Sequence, residues 1–344
     1  MTTRNIEIPA SLVAPIRRDR SVLTLNLIMA ITVWTLWLAL GRSLAISSME
    51  HYWRISVTMI FGSFSGGATS EGGGGIAFPV LTKVLHVPAD QARLFTFAIQ
   101  TVGMGTASLS IFFLRVPVER RFLSLAAPAS VIGVVLSATL IAPSVKATDV
   151  RVFFSVLMSS VAIAIITQEI RKIHGRNQEL SRFGPAEQAI AVATGLAGGM
   201  LSGVIGIGVN MVAFIVLVML FRISEKVATP TTVILMAVVS VTGFLTHILV
   251  IGDFTGVVPK YWLSAVPVVA VGAPFGALMC SKMSRRVINT ILVGLIITDF
   301  VSTIVVVPMS HTLMTTAAVV LAVGSVCIYL MTRVTRYRPP LVPM

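Results

Sequence analysis

The chain has 344 residues, of which 56% are hydrophobic and only 11% charged, and its mean hydropathy is +0.93. A soluble domain carries about a quarter charged residues and keeps a wetted polar face, so a soluble globular fold is excluded. The formal charge of +13 fits a nucleic-acid-binding protein unless membrane topology accounts for the basic residues.

A polar, basic leader covers residues 1–21, and a first apolar run covers 22–41. The leader is too polar and the run too long for a cleaved signal peptide, so an uncleaved first helix is expected. Further runs of about 20 residues, enough to cross a hydrocarbon core about 30 Å thick, fall at 94–114, 122–142, 152–170, 227–251, 261–281, 287–306 and 312–332. These make eight full spans. Backbone groups in lipid must be paired internally, and stretches such as LAVGSVCIYLM (321–331) lack the two-residue alternation of a barrel strand. The spans therefore read as helices. Cys280 and Cys327 lie inside apolar runs with no CxxC or Cys/His cluster, and are expected to be small buried residues. No metal site or cofactor is expected.

Two segments differ. Residues 55–86 and 187–221 are apolar stretches interrupted by clustered glycines, including Gly72 to Gly75 in the first. Each glycine costs about 1 kcal/mol in a helix relative to Ala. The flanking pieces of about 11–16 residues would measure roughly 16–24 Å as helix, which is short for a crossing. The expectation is a re-entrant hairpin of two half-helices in each segment, its irregular backbone buried in protein or lining a cavity.

With the leader in the cytoplasm and each hairpin returning to its own side, 19 of the 26 Lys and Arg residues fall inside. They occupy the leader, the 115–121 loop, the 171–182 linker, Arg222 and Lys226, the 282–286 loop and the tail. Only Arg42, Arg54, Lys83, Arg93, Lys146, Arg151 and Lys260 stay outside. This is the positive-inside bias of a bacterial-type inner membrane protein with both termini inside. It accounts for the basicity without nucleic acid.

Shifting the chain by 136 residues superposes Gly62 on Gly198, Gly67 on Gly203, Gly72 on Gly208, Ala77 on Ala213 and Phe78 on Phe214. Pro128 and Gly133 match Pro267 and Gly272 at a shift of 139. The predicted fold is an all-α polytopic membrane protein of two inverted repeats, each with a glycine-broken hairpin, as in many secondary transporters. Its parts are the leader (1–21), a first repeat with the first span (22–170), a basic linker (171–186), a second repeat (187–332) and a cytoplasmic tail (333–344).

The segments GGATSEGGGGIAFPVL (66–81), GGMLSGVIGIGVNMVAF (198–214) and SEKVATPTT (224–232) resemble the TauE/SafE family of sulfite and organosulfur-anion transporters over about residues 55–306. The chain differs from the usual pattern at Glu71 and Asn210. The resemblance implies transport of sulfite, sulfonates or related anions.

The candidate substrate ligands cluster at the breaks and on the helices that follow them. They are Ser70, Gly72, Gly73 and Gly74 at the first break, and Gly206, Gly208 and Asn210 at the second. Gln100, Thr231 and Thr232 complete the set. A half-helix that starts at a glycine break offers unpaired N–H groups and a positive partial charge to an anion. Gly62, Gly67, Gly198 and Gly203 fit close helix packing. Of the 13 Asp and Glu residues, only Glu71 and Asp299 lie well inside apolar segments, and such groups point to function. At Glu71, desolvation favours the protonated form, which makes it a candidate for proton coupling, with a structural hydrogen bond to loop N–H groups as the alternative. Asp299 is a candidate proton relay, or the cap of a kink near Ser302 and Thr303. Lys83 and Arg93 are expected toward the surface, which leaves the site without a fixed cation, and His247 is expected at the interface. The expected partners are a small anion, protons and membrane lipid, and the sequence leaves a homo-oligomer open.

The alternative to a transporter is an anion channel lined by the two hairpins. An intramembrane serine hydrolase is disfavoured because Met200 stands where its motif needs Gly, and no enzyme activity is expected. A Walker motif GxxxxGK[ST] is absent from the sequence, so energy would come from an ion or substrate gradient.

Overall fold

The computed structural model describes residues 19–39, 41–68, 73–170, 177–180, 182–282, 285–307, 310–334 and 337. Among the described residues the architecture is helical, with no β-strand and one isolated bridge between Asn177 and Ile223. The order is α1 (Asp19–Ala39), α2 (Arg42–His51), α3 (Trp53–Ala68), α4 (Gly74–Pro79), α5 (Ala89–Phe113), α6 (Arg120–Leu136) and α7 (Ala147–Ile170). It continues with α8 (Pro185–Ile205), α9 (Val209–Ile215), α10 (Glu225–Thr246), α11 (Val258–Lys282), α12 (Arg285–Val306) and α13 (His311–Arg333).

Six of the described helices are long and apolar enough to cross a membrane: α5, α6 with its extension to Ser144, α7, α8, α10 with its extension to Ile251, and α13. Five of these lie at expected spans. The sixth, α8, corrects the sequence reading. At 21 residues, or about 31 Å at 1.5 Å per residue, it is a full-length arm rather than a short half-helix. Its length follows from a strong start, with Pro185 in the first turn and the Glu187 carboxylate accepting the Gly184 N–H at 2.8 Å, and a glycine stop at Gly206. Helices α11 and α12 occupy the expected spans at 261–281 and 287–306. Helix α1 occupies the first and meets α2 at a bend of 102°.

The order of elements from α3 to α7 recurs from α8 to α12. Helix α4 runs into a π-helical turn at Val80–Val84, and α9 into one at Val216–Leu220. Each turn is followed by a non-glycine residue at positive φ, His86 at 53° and Arg222 at 58°, a conformation uncommon for side-chain-bearing residues. Helices α5 and α10 then begin at Ala89 and Glu225. Each of these pairs of landmarks is 136 residues apart.

Small residues set the packing. In α8, Gly195 lies against Ala126, Gly199 against Ser130, and Gly203 against Ser137 and Ala138. The contacts advance together, so α6 and α8 run parallel, with backbones close enough that added methyl groups would overlap. On the other side, Ser56 Oγ donates to the Ser264 carbonyl at 2.8 Å, while Gly272 lies on Ser63 and Gly276 on Phe64. Helices α3 and α11 are therefore parallel as well. Trp262 Nε1 donates to the Ala98 carbonyl at 3.0 Å and Gly103 lies on Val269, which makes α5 parallel to α11. In contrast, Gly243 lies on Phe97 and Ser240 Oγ donates to Gln100 Oε1 at 3.2 Å, so α5 and α10 are antiparallel. The Glu119 N–H, at the start of α6, donates to Thr231 Oγ1 near the start of α10 at 2.9 Å, which aligns α6 with α10. Helices α3, α5 and α11 thus point one way and α6, α8 and α10 the other.

The end where α6, α8 and α10 begin is tied together by polar contacts. Glu119 accepts the Leu180 N–H at 2.8 Å. Tyr337 donates its hydroxyl to Glu187 at 2.6 Å and sets its ring edge-on to Phe221. Cys327 is a free, exposed thiol on α13 rather than a buried residue, and the Cys280 side chain lies outside the described residues.

Candidate substrate site at the helix breaks

The start of α4 meets the second break. Gly74, the first residue of α4, is buried against Ile207 of the 206–208 break and against Gln100 and Thr96 of α5, so closely that a Cβ there would overlap all three. Gly73 approaches Gly62 of α3, where an added Cβ would fall 3.2 Å from the carbonyl oxygen. At the second break Gly206 ends α8 in the left-handed region at φ 91° and Gly208 has φ 144°, two conformations that L side chains rarely adopt. An added Cβ on Gly206 would stand 3.2 Å from Thr96 Cβ and 3.0 Å from the Arg93 carbonyl oxygen. Gly74, Gly206 and Gln100 are therefore neighbours around Thr96 and Ile207. Gln100 is 2% exposed. Its Oε1 accepts from Ser240, and its Nε2 has no hydrogen-bond partner among the described residues.

The start of α9 is held by side chains. Ser202 Oγ accepts the Val209 N–H at 3.0 Å and donates to the Gly198 carbonyl at 2.9 Å. The buried Asn210 accepts the Gly208 N–H on Oδ1 at 3.3 Å. These oxygens occupy donors that a helix start leaves unsatisfied, which pins the break. The packing roles expected for glycines also appear, with Gly198 on Val209 and Gly203 on Ser137.

Two candidates sit elsewhere or face elsewhere. Thr231 Oγ1 donates to the Val227 carbonyl at 2.6 Å and accepts from Glu119, which ties it to the start of α6. Thr232 is fully buried with its hydroxyl on the Thr229 carbonyl at 2.9 Å. Ser70, Glu71 and Gly72 lie outside the described residues.

Asp299 belongs to a separate buried cluster, and here the sequence reading of Lys83 is corrected. Lys83 is not at the surface. Its Nζ donates to Asp299 Oδ1 at 2.5 Å, Thr303 Oγ1 at 2.6 Å, the Asp299 carbonyl at 3.0 Å and Ser302 Oγ at 3.2 Å. Ser155 Oγ of α7 donates to Asp299 Oδ2 at 2.5 Å and is bonded to Thr303. The cluster joins the π turn after α4 to α7 and α12. The reason is energetic: a long aliphatic stem buries well, and in a low-dielectric interior its ammonium needs a counter-charge.

Arg93 is corrected in the same way, being 9% exposed. His247 is fully buried rather than interfacial, its Nδ1 held by Asp253 at 2.8 Å and its ring 5.8 Å from that of Phe97. Thr96, Ile207, Ser202 and Ser240 are further members of the break region that the sequence reading did not single out as ligands. The position of Thr96 one turn before Gln100 on α5 is the signal that would have found it.

Residues 55–303 match the family model described as sulfite exporter TauE/SafE. No match to a curated protein or to a solved structure is found.

Proposed function

The chain belongs to the TauE/SafE family of sulfite exporters, whose members are membrane transporters rather than enzymes, and on that premise we propose that it is a secondary transporter of a small sulfite-like or organosulfur anion. The anion binds where the two breaks meet, and access alternates between the two sides. The observation that carries this reading is the contact of Gly74 in one break with Ile207 in the other, on the flank of Gln100 and Thr96. The start of α4 and the irregular backbone at Gly206 and Gly208 converge there, within helices otherwise built to span, and such backbone is retained at depth where it serves a site.

Helix directions support two re-entrant hairpins. Since α3 and α5 point the same way, the α4 segment returns the chain to the side it entered. The α9 segment does the same between α8 and α10. The antiparallel pairing of α5 with α10, equivalent under the 136-residue shift, supports inverted rather than parallel repeats. With the 19-to-7 distribution of basic residues, this favours cytoplasmic termini in a bacterial inner membrane.

The ligands in this reading are the Gly73, Gly74, Gly206 and Gly208 backbone, Gln100 Nε2 and Asn210, with Ser70 and Gly72. The α4 start supplies N–H donors and a positive partial charge. At α9 the anion competes with the Ser202 and Asn210 oxygens. Glu71, beside the first break in sequence, is the proposed proton carrier. Asp299 is engaged by Lys83 and is assigned to anchoring the hairpin, with relay of a proton as its second proposed role.

The test is uptake by proteoliposomes of sulfite, sulfonates and carboxylates, with and without a pH gradient. Saturable uptake of a sulfur oxyanion that rises with the gradient is expected. Uptake that stays linear with concentration and ignores the gradient would favour a channel, and indifference to all three classes would overturn the reading.

A further inference from the structure

The tip of α8 rests on the second turn of α5. A Cβ on Gly206 would stand 3.0 Å from the Arg93 carbonyl oxygen and 3.3 Å from Arg93 Cα, so Arg93 flanks the second break. Helical side chains lean toward the helix N-terminus, which carries the Arg93 guanidinium from the break toward the end where α5 begins. Its Nε has no hydrogen-bond partner among the described residues. Asp90 and Asp253 act on it electrostatically, yet Arg93 forms no ion pair among the described residues.

Facing it across the α5–α10 interface is His247. Phe97, one turn after Arg93 and therefore on the same face of α5, packs against the His247 ring at 5.8 Å. His247 feels the charge of Arg93. Asp253 holds its Nδ1, and its Nε2 is buried without a partner among the described residues. Two buried nitrogen atoms, Arg93 Nε and His247 Nε2, thus lack protein partners among the described residues in the same region. An unpaired buried N–H of a cation is costly in a low-dielectric setting. The Lys83 cluster shows how this fold satisfies a cation that is only structural, with four oxygens within 3.2 Å.

We propose that Arg93 is the cationic ligand of a second anion position, displaced from Gly206 toward the end where α5 begins, with His247 Nε2 as its polar neighbour. The ligand class is a small oxyanion, whose oxygens match the planar donor fork of a guanidinium. This inference rests on the anion-transport reading and deepens it. The 136-residue shift places Thr229 at the position equivalent to Arg93, so the charged position belongs to one half only. It would lie on the path toward the face where α5 begins, and it would not be mirrored on the other.

The test uses the full chain purified in detergent, with sulfite and, separately, sulfate as probes. Arg93→Met keeps the apolar stem and removes the charge, and Arg93→Lys keeps a charge without the fork. If the guanidinium has no structural partner, Arg93→Met unfolds without ligand at the wild-type midpoint or above it. Its sulfite affinity is expected to fall about ten-fold or more, with Arg93→Lys intermediate. Wild-type sulfite affinity in Arg93→Met overturns the proposal, and so does failure of that variant to fold, which would make Arg93 structural. If wild-type protein binds neither probe and its proteoliposomes carry no anion, the underlying transport reading fails instead.

Discussion

The buried Lys83–Asp299 pair offers a quantitative test of how the turn after α4 is held. Both side chains are almost fully buried, at 4% and 7% exposure, with Nζ to Oδ1 at 2.5 Å. Lys83→Met removes the cation and leaves the Asp299 carboxylate, among the described residues, with only the Ser155 hydroxyl from another helix. Breaking one side of a buried pair costs about 3–5 kcal/mol, because the surviving charge is left uncompensated. Asp299→Asn has the mirror effect on Lys83, whose remaining partners are neutral hydroxyls and a carbonyl. The double variant buries no charge, and Met fits the site in principle, since Met219 stands at the equivalent position of the second half. Its cost should therefore fall below the sum of the singles by at least about 1.5 kcal/mol, the lower end for close charge pairs. The assay is a double-mutant cycle on equilibrium unfolding of detergent-purified protein, followed by helical circular dichroism. If the two single costs add within about 0.5 kcal/mol, the limit for independent sites, the pair is not coupled and the argument fails.

Other outcomes follow from the same geometry. A cysteine replacing Arg120 should be shielded from an impermeant thiol reagent in intact cells and one replacing Lys146 should react; the reverse pattern would overturn the orientation. Glu71→Gln should abolish accumulation driven by a pH gradient while leaving substrate exchange, and accumulation at the wild-type rate would remove Glu71 from coupling. Gly74→Val and Gly208→Val should damage sulfite binding more than Asn210→Ala. The first overlaps Ile207 and Gln100, and the second forces a β-branched residue to φ 144°, whereas the third removes one side chain; wild-type binding by both glycine variants would refute a backbone site. Gly199→Val drives two methyl groups into the Ser130 backbone and should lower stability by about 1–3 kcal/mol or more, read as a loss of folded yield relative to Gly105→Val, where nothing lies within 4 Å.

The helical, membrane-spanning character was legible because it depends on summed hydropathy over about 20 residues, which no tertiary contact can reverse. The glycine breaks were legible for a similar reason, since Gly206 and Gly208 adopt φ values that other residues avoid. What misled was treating a charged residue at the end of an apolar run as surface-bound. Lys83 lies near the end of the 55–86 stretch and Arg93 directly before the 94–114 run, and a lysine or arginine stem can either snorkel outward or turn inward. The choice depends on whether a counter-charge waits inside. For Lys83 that counter-charge is Asp299, 216 residues away in sequence, and no local pattern announces it. The length of α8 is hidden in the sequence because glycines lie along the helix as well as at its end. The helix in fact starts at Pro185, inside the stretch read as linker, and continues through the Gly195, Gly198, Gly199 and Gly203 positions. Those glycines cost helix propensity, and close packing on α6 compensates.

The repeated elements differ in one respect that bears on how the protein can move. Backbone devices recur 136 residues apart: the π turns, the positive-φ residues after them and the starts of α5 and α10. Three polar side chains do not. Lys83, Arg93 and Gln100 in the first half stand opposite Met219, Thr229 and Met236 in the second. Backbone geometry sets which segments approach, so its repetition places the two breaks against each other. Charge sets which contacts are costly to break. The α4 segment is fastened through Lys83 to Ser155 on α7 and Asp299 on α12, and removing one partner of such a buried pair costs about 3–5 kcal/mol. The α8–α9 segment is fastened by glycine packing on α6 and by neutral caps at Ser202 and Asn210. Neutral hydrogen bonds contribute only about 1 kcal/mol each, and packed small residues can slide with little loss of contact. In any rearrangement that keeps the ion pair, the α4 segment, α7 and α12 travel together, and the displacement falls on the interfaces held by neutral contacts.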